Sequence, residues 1–295
     1  MKASKYNYII NKKNYSYWYN GIKHTYFILP LELGIKIDML LKSDDTIKYI
    51  PKSFNKKLVD AGFLVPNDKD ELAVIRKKNI ERINSKNYLL VILPTLNCNF
   101  KCWYCIQDHI PSKMSTETIE IIERHIDYMI NVEKIESLQI EWFGGEPFMY
   151  FKQVIQPICT YAQNKCKDKN IVYFTTATTN GYFLMPKIVN ELKKIRFRRF
   201  QVTLDGPKIE HDKVKYQKNC ISAFDHVLSN IEYILNNTSD IQFLLRINYT
   251  EHTLNYQIVE DVNKIISISN RNRIKISPKK VWQENVRKDR YNSVN

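Results

Sequence analysis

The chain opens on alternating aromatic and polar positions. Residues 6–11, 15–19 and 24–29 read as three strands, and Asn20-Gly21 between the last two is a strong hairpin signal. A helical period covers Leu31–Leu41 and a second one lies near 53–61, where Gly62 stops it; Phe63-Leu64-Val65-Pro66 reads as a short strand. Residues 1–87 are therefore expected to form a small α+β, winged-helix-like module, closed by a charged linking helix over 71–84. From Tyr88 the pattern becomes an alternation. Strands are predicted at 89–93, 138–142, 172–176, 200–204, 242–247 and 273–276, with helices at 116–132, 151–165, 185–195, 222–236 and 254–267. Six strands with five intervening helices imply right-handed βαβ crossovers and a parallel sheet, an α/β fold over 88–295. In such folds the chemistry collects at the carboxyl ends of the strands.

Composition narrows the class. Of 295 residues, 44% are hydrophobic and 26% charged, as in an ordinary globular chain, which excludes disordered, collagenous and disulfide-scaffold classes. No apolar run approaches the ~20 residues of a membrane span. The start, Met1-Lys2-Ala3-Ser4-Lys5, leads into no apolar segment of an export signal, so the cytoplasm is the expected compartment. Six cysteines in such a chain point to metal binding or catalysis before disulfides. Forty-five basic against 31 acidic side chains give a net charge of +14, carried by the two ends: +8 over 1–87, +6 over 271–295 and zero between. No nucleic-acid-reading module accompanies it. Either these are the solvated lysines of a Lys-, Ile- and Asn-rich composition, or the basic N-terminal segment attracts an acidic partner such as a peptide.

The chemistry begins after the first strand of the alternation. Cys98, Cys102 and Cys105 form a C-x3-C-x2-C run, and three thiolates so close on one loop converge on one centre; soft sulfur ligands select zinc or iron–sulfur. With His109 as a fourth ligand the site suits zinc. The alternative is a four-iron cluster on three cysteines, with one iron open to a substrate or cofactor. Cys159 and Cys166 share a helix face and read as buried apolar groups; Cys220 sits in a predicted loop with no partner in view.

The C-x3-C-x2-C spacing resembles that of the radical S-adenosylmethionine (radical SAM) superfamily. Gly144-Gly145-Glu146-Pro147 after the second strand resembles the family's Gly-Gly-Glu-Pro, where backbone and the Glu146 carboxylate would receive the methionyl ammonium of SAM. Thr178-Thr179-Asn180-Gly181 is similar to a turn common in these barrels, which gives Asn180 a cofactor contact. Thr203-Leu204-Asp205-Gly206-Pro207, followed by His211-Asp212, resembles the Ser-x-Asp-Gly-Pro segment of peptide-modifying and sulfatase-maturing members. Thr203 keeps the hydroxyl that would contact SAM, and Tyr104, just before the last cysteine, would lie against the adenine. By period-2 alternation Leu244, Arg246 and Asn248 share a face; the resemblance makes Arg246 the partner of the SAM carboxylate and Asn248 its neighbour. Asp205 is either a catalytic group or the cap of its turn.

The resemblance implies a partial (β/α)6 radical SAM barrel with a [4Fe-4S] cluster and S-adenosyl-L-methionine as cofactors. It implies reductive SAM cleavage and hydrogen abstraction from a precursor peptide or protein, with a one-electron reductant such as flavodoxin or ferredoxin as partner. Neither nucleic acid nor membrane is an expected partner. The branch is that of SPASM-type enzymes, RiPP maturases and anaerobic sulfatase maturases, in which a small N-terminal module often recognises a leader peptide, here by strand addition to a sheet edge. The branch's cysteine-rich C-terminal SPASM domain has no counterpart in this sequence, because cysteines stop at Cys220. The expectation is a chain truncated after the sixth strand. A leader-binding partner of another maturase and an unrelated zinc protein are the alternatives.

Overall fold

The structure is a computed structural model that describes residues 1–43 and 46–281. Trp282, Gln283 and the rest of the expected basic tail lie outside the described residues. The chain divides into two compact units, the first running from Met1 to Ser85 and the second starting at Lys86.

The first unit contains β1 (Lys2–Ala3), β2 (Asn7–Lys12), β3 (Tyr15–Asn20), β4 (Thr25–Pro30), α1 (Leu31–Leu41), α2 (Lys52–Asp60), β5 (Leu64–Val65) and α3 (Glu71–Ile83). Strands β2, β3 and β4 pair in order as an antiparallel sheet, and β1 pairs antiparallel with β5. Alternation sends Trp18 and Leu29 inward, where they join Ile37 and Leu41 of α1 with Leu58 and Phe63 in one core. Gly34 lets α1 lie close on the sheet: a Cβ there would stand 2.2 Å from Ser16 Cβ. The hairpin signal is right about the hairpin and wrong about its turn. Asn20 pairs with Thr25, so the loop holds Gly21 to His24, and His24, at φ 57°, is the left-handed residue. The Asn20 side chain accepts from the Ile22 and Lys23 amides and donates to Gly62 O, which keeps Asn20 in the strand and lengthens the loop.

The second unit is the expected alternation. It runs β6 (Asn87–Ile92), α4 (Thr116–Asn131), β7 (Ser137–Trp142), α5 (Gln156–Asp168), β8 (Val172–Thr179), α6 (Val189–Lys194), β9 (Phe197–Leu204), α7 (Lys208–Val214), α8 (Ala223–Asn237), β10 (Gln242–Tyr249), α9 (Gln257–Ile265) and β11 (Ile274–Lys280). The six strands form one sheet in sequence order, β6 to β11, with every neighbouring pair parallel. One face is apolar: Leu138, Ile140, Trp142, Val202, Leu204, Leu245 and Ile247 pack with the helices into a single core. The alternate positions of β7, β8, β9 and β10 include the polar Gln139, Thr178, Gln201, Thr203, Arg246 and Asn248 together with Phe174 and Leu244. A parallel sheet is normally covered on both faces; a polar second face marks the side reserved for chemistry.

Three elements depart from the sequence pattern. The helix predicted over 151–165 is a π-turn, Phe151–Ile155, followed by α5. Pro157 has no N–H to donate, and the wider turn absorbs the mismatch. Strand β11 continues through Pro278, which a central strand would exclude; it lies at the sheet's edge. The short α7, absent from the predicted pattern, starts from Pro207 directly after β9. Among the described residues no helix is long and apolar enough to cross a membrane.

Candidate functional site

At the carboxyl ends of β6 to β10 lies an open cavity of about 560 Å³. Its wall includes all three cysteines of the C-x3-C-x2-C run. They sit on the loop after β6, which is anchored from both sides. Phe100 is buried and meets the edge of Tyr182 at 5.6 Å, and Gln217 donates through Nε2 to Asn99 O. The Phe100 amide donates to Cys98 Sγ at 3.4 Å, and Asn180 Nδ2 approaches the same sulfur at 3.7 Å. Burial pushes the Cys98 thiol up to about 11 and the Cys102 thiol up to about 12. The protein alone therefore keeps these thiols protonated, and a metal centre is what would convert them to thiolate ligands. The donor set, three thiols on one restrained loop facing one cavity, fits an iron–sulfur cluster. His109 Nε2 stands 3.4 Å from Cys105 Sγ, as the zinc alternative requires. Among the described residues, however, no three His, Cys, Asp or Glu side chains close on a point as a single-ion site would demand.

The turn after β7 presses against the cysteine loop. A Cβ on Gly145 would stand 2.0 Å from Asn97 O, and one on Gly144, at φ +111°, 2.6 Å from Thr95 O. The glycines thus permit a close approach of two protein backbones, and both also line the cavity. Glu146 stands behind the cavity wall rather than in it. Its side chain is fully buried and is not part of the cavity wall; Oε1 accepts from the Phe148 amide and the Thr179 hydroxyl, and Oε2 from the Asn180 amide. With three hydrogen bonds accepted, the carboxylate fixes the ends of β7 and β8 to each other from behind the cavity wall. Burial raises its pKa to about 7 against these hydrogen bonds. Pro147 is also buried outside the wall, as the first residue of a 3₁₀ turn.

Asn180, Thr203, Arg246 and Asn248 line the cavity, the last two from one face of β10, as alternation along that strand places them. Arg246 Nε donates to Asn248 Oδ1 at 2.9 Å, which leaves the rest of its guanidinium to the cavity. Tyr104 lines it too, with its hydroxyl donating to Asp205 Oδ1 at 2.5 Å. Asp205 itself is buried behind that tyrosine, outside the cavity wall. Its second oxygen is paired with Lys215, and both side chains are almost fully enclosed. Burial works against the Lys215 charge, but its pairing with the Asp205 carboxylate outweighs it, and its pKa stays above the ordinary lysine value. Burial and Lys215 hold His211 well below its ordinary pKa, hence neutral, and its Nδ1 accepts from the Asp205 amide.

Lys215, Gln201 and Thr178 belong to the wall and escaped sequence reasoning. Gln201 was accessible in principle, two residues before Thr203 on the same face of β9. Lys215 was not: one buried lysine looks like any solvated one in a lysine-rich sequence.

Comparison with known proteins agrees with this geometry. The sequence profile of the Radical SAM superfamily matches residues 92–249. A cysteine-type anaerobic sulfatase-maturating enzyme of Clostridium novyi is 24% identical over 155 residues, 50% of this chain and 41% of that protein. A GTP 3′,8-cyclase of Campylobacter jejuni is 30% identical over 166 residues, 53% of this chain and 46% of its own length. The chain thus spans less than half the length of either relative. The solved structure of native anSMEcpe with bound AdoMet and Cp18Cys peptide shares the fold at a TM-score of 0.52 and 21% identity, over 65% of this chain and 50% of that one.

Proposed function

Because the chain belongs to the radical SAM superfamily, whose members use a [4Fe-4S] cluster and SAM, we propose that it modifies a peptide or protein substrate by hydrogen abstraction. The observation that carries the proposal is the single cavity bounded by Cys98, Cys102 and Cys105 on one side and by Asn180, Thr203, Arg246 and Asn248 on the other. The three cysteines would hold the cluster. Arg246 would pair with the SAM carboxylate, the Gly144–Gly145 backbone would border the methionyl end, and Tyr104 would flank the adenine. When bound, the two cofactors supply an electron and a carbon radical that removes a hydrogen atom from the substrate. The protein's own part is orientation and exclusion of water. Asp205 and Lys215 fix Tyr104 from behind, and the Arg246–Asn248 bond sets the direction of the guanidinium.

The polypeptide substrate is supported by Asp205-Gly206-Pro207 with His211-Asp212 and by the similarity to sulfatase-maturating enzymes. A GTP 3′,8-cyclase matches about the same share of the chain, so the preference for a polypeptide rests on the Asp205-Gly206-Pro207 segment. The reading carries with it a cytoplasmic location and an acidic one-electron donor such as flavodoxin or ferredoxin. Anaerobic reconstitution with iron and sulfide tests it. We expect a brown protein that forms 5′-deoxyadenosine from SAM with dithionite, and that loses both properties when Cys98, Cys102 and Cys105 are replaced by alanine. A reconstituted wild-type chain without iron–sulfur absorption overturns the proposal.

A further inference from the structure

Cys98 receives N–H groups from two directions. One donor is local: the Phe100 amide, 3.4 Å from Cys98 Sγ, belongs to the cysteine loop itself. The other comes from a different strand. Asn180, at the carboxyl end of β8, brings its Nδ2 to 3.7 Å from the same sulfur. The side chain is held in that orientation by its other polar contacts. Oδ1 accepts from the Tyr182 amide at 2.9 Å, and Nδ2 also donates to Asn99 Oδ1 at 2.8 Å. Turning the amide over would set Nδ2 against the Tyr182 N–H and Oδ1 against Asn99 Oδ1, donor on donor and acceptor on acceptor. The backbone is fixed as well, because the Asn180 amide donates to Glu146 Oε2 at 2.8 Å.

The position calls for an asparagine. That side chain supplies two N–H groups and one acceptor in a plane: one N–H goes to Asn99, one to Cys98, and the acceptor serves Tyr182. An ionised aspartate has no donor, and serine or threonine has a single hydroxyl on a shorter arm. A bond to that sulfur bears on electron transfer. The reduction potential of an iron–sulfur centre depends on hydrogen bonds to its sulfurs, because the electron it gains adds negative charge that an N–H dipole stabilises. We propose that Asn180 is a positioning residue for the reduction step: its side-chain amide, reaching Cys98 from β8, raises the potential of the cluster held by Cys98, Cys102 and Cys105. The inference rests on the iron–sulfur reading of that loop. The competing role for Asn180 is a direct contact with SAM. Both of its side-chain N–H groups, however, are engaged on the cysteine loop.

The test is a redox titration of the full chain, reconstituted anaerobically with iron and sulfide and kept free of SAM, with the reduced cluster followed by electron paramagnetic resonance. Asn180→Ala is expected to make reduction about tenfold less favourable, which is a midpoint ~59 mV more negative for one electron. Asn180→Asp keeps the shape and the acceptor for Tyr182 but replaces the donor by a negative charge. Its midpoint should fall further, and it carries the test if Asn180→Ala does not fold. The affinity of the oxidised protein for SAM, measured by calorimetry, should be little changed in Asn180→Ala. A wild-type midpoint in variants that carry a full cluster overturns the inference. So does a weakened SAM affinity with an unmoved midpoint, the signature of a direct SAM contact. A wild-type chain that takes up no cluster is a distinct result: it overturns the iron–sulfur reading, and this inference with it.

Discussion

The buried Asp205–Lys215 pair joins the last two cysteines' loop to the end of β9 through the Tyr104 hydroxyl. Removing one member strands the other charge in the interior, which costs about 3–5 kcal/mol, whereas removing both leaves no charge to solvate. Lys215→Met is therefore expected to lower the urea-unfolding free energy by that amount, and Asp205→Asn/Lys215→Met by distinctly less; equal losses in the two variants would contradict the argument. Glu146 makes a prediction about pH. Its folded pKa of about 7 lies above the ordinary 4.5, so the folded chain binds this proton more tightly than the unfolded one. Stability must then fall as pH rises from 4.5 to 7, by on the order of 3 kcal/mol over the whole window. Glu146→Gln does not titrate. In the cluster-free chain the wild type should lose ground to this variant between about pH 5 and about pH 8, and a gap that stays constant between them would refute the assignment. The placements of Glu146 and Asp205 have one origin: a motif shows which residue types stand together, while burial decides which of them face the cavity.

At the scale of elements, period-2 and period-3.6 patterns located the strands and most helices because each buries one face. They failed where a special backbone intervened. The side-chain bonds of Asn20 displaced the turn that Asn-Gly announces, Pro157 forced a π-turn, and Pro278 continued a strand that only an edge permits. Gly34 had no visible purpose in the sequence; its purpose is the approach of α1 to β3. Gly34→Ala gains ~1 kcal/mol of helix preference but drives a methyl into Ser16, where overpacking costs ~1–3 kcal/mol. A net loss of stability is expected, partly reversed by Ser16→Gly. A stabilised Gly34→Ala chain would show that helix and strand can move apart freely.

The whole molecule consists of two units with separate cores, joined by a segment in which residues 76–87 are all exposed. Brief trypsin digestion should therefore cut first after Arg82 or Lys86, among the described residues, and release a resistant fragment of the first unit. Prior cleavage within β2 to β4 would argue that the first core is not independently compact. The sequence by itself determined the α/β class, the parallel order of strands and the three cysteines. Those depend on local periodicity and on ligand spacing within one loop, and neither needs the rest of the chain. Tertiary structure alone decided that Glu146 and Asp205 stand behind the cavity, that Lys215 enters its wall, and that the Asn180 amide reaches the Cys98 sulfur. Each of these is set by what lies across the fold from the residue, at distances along the chain that no local pattern records.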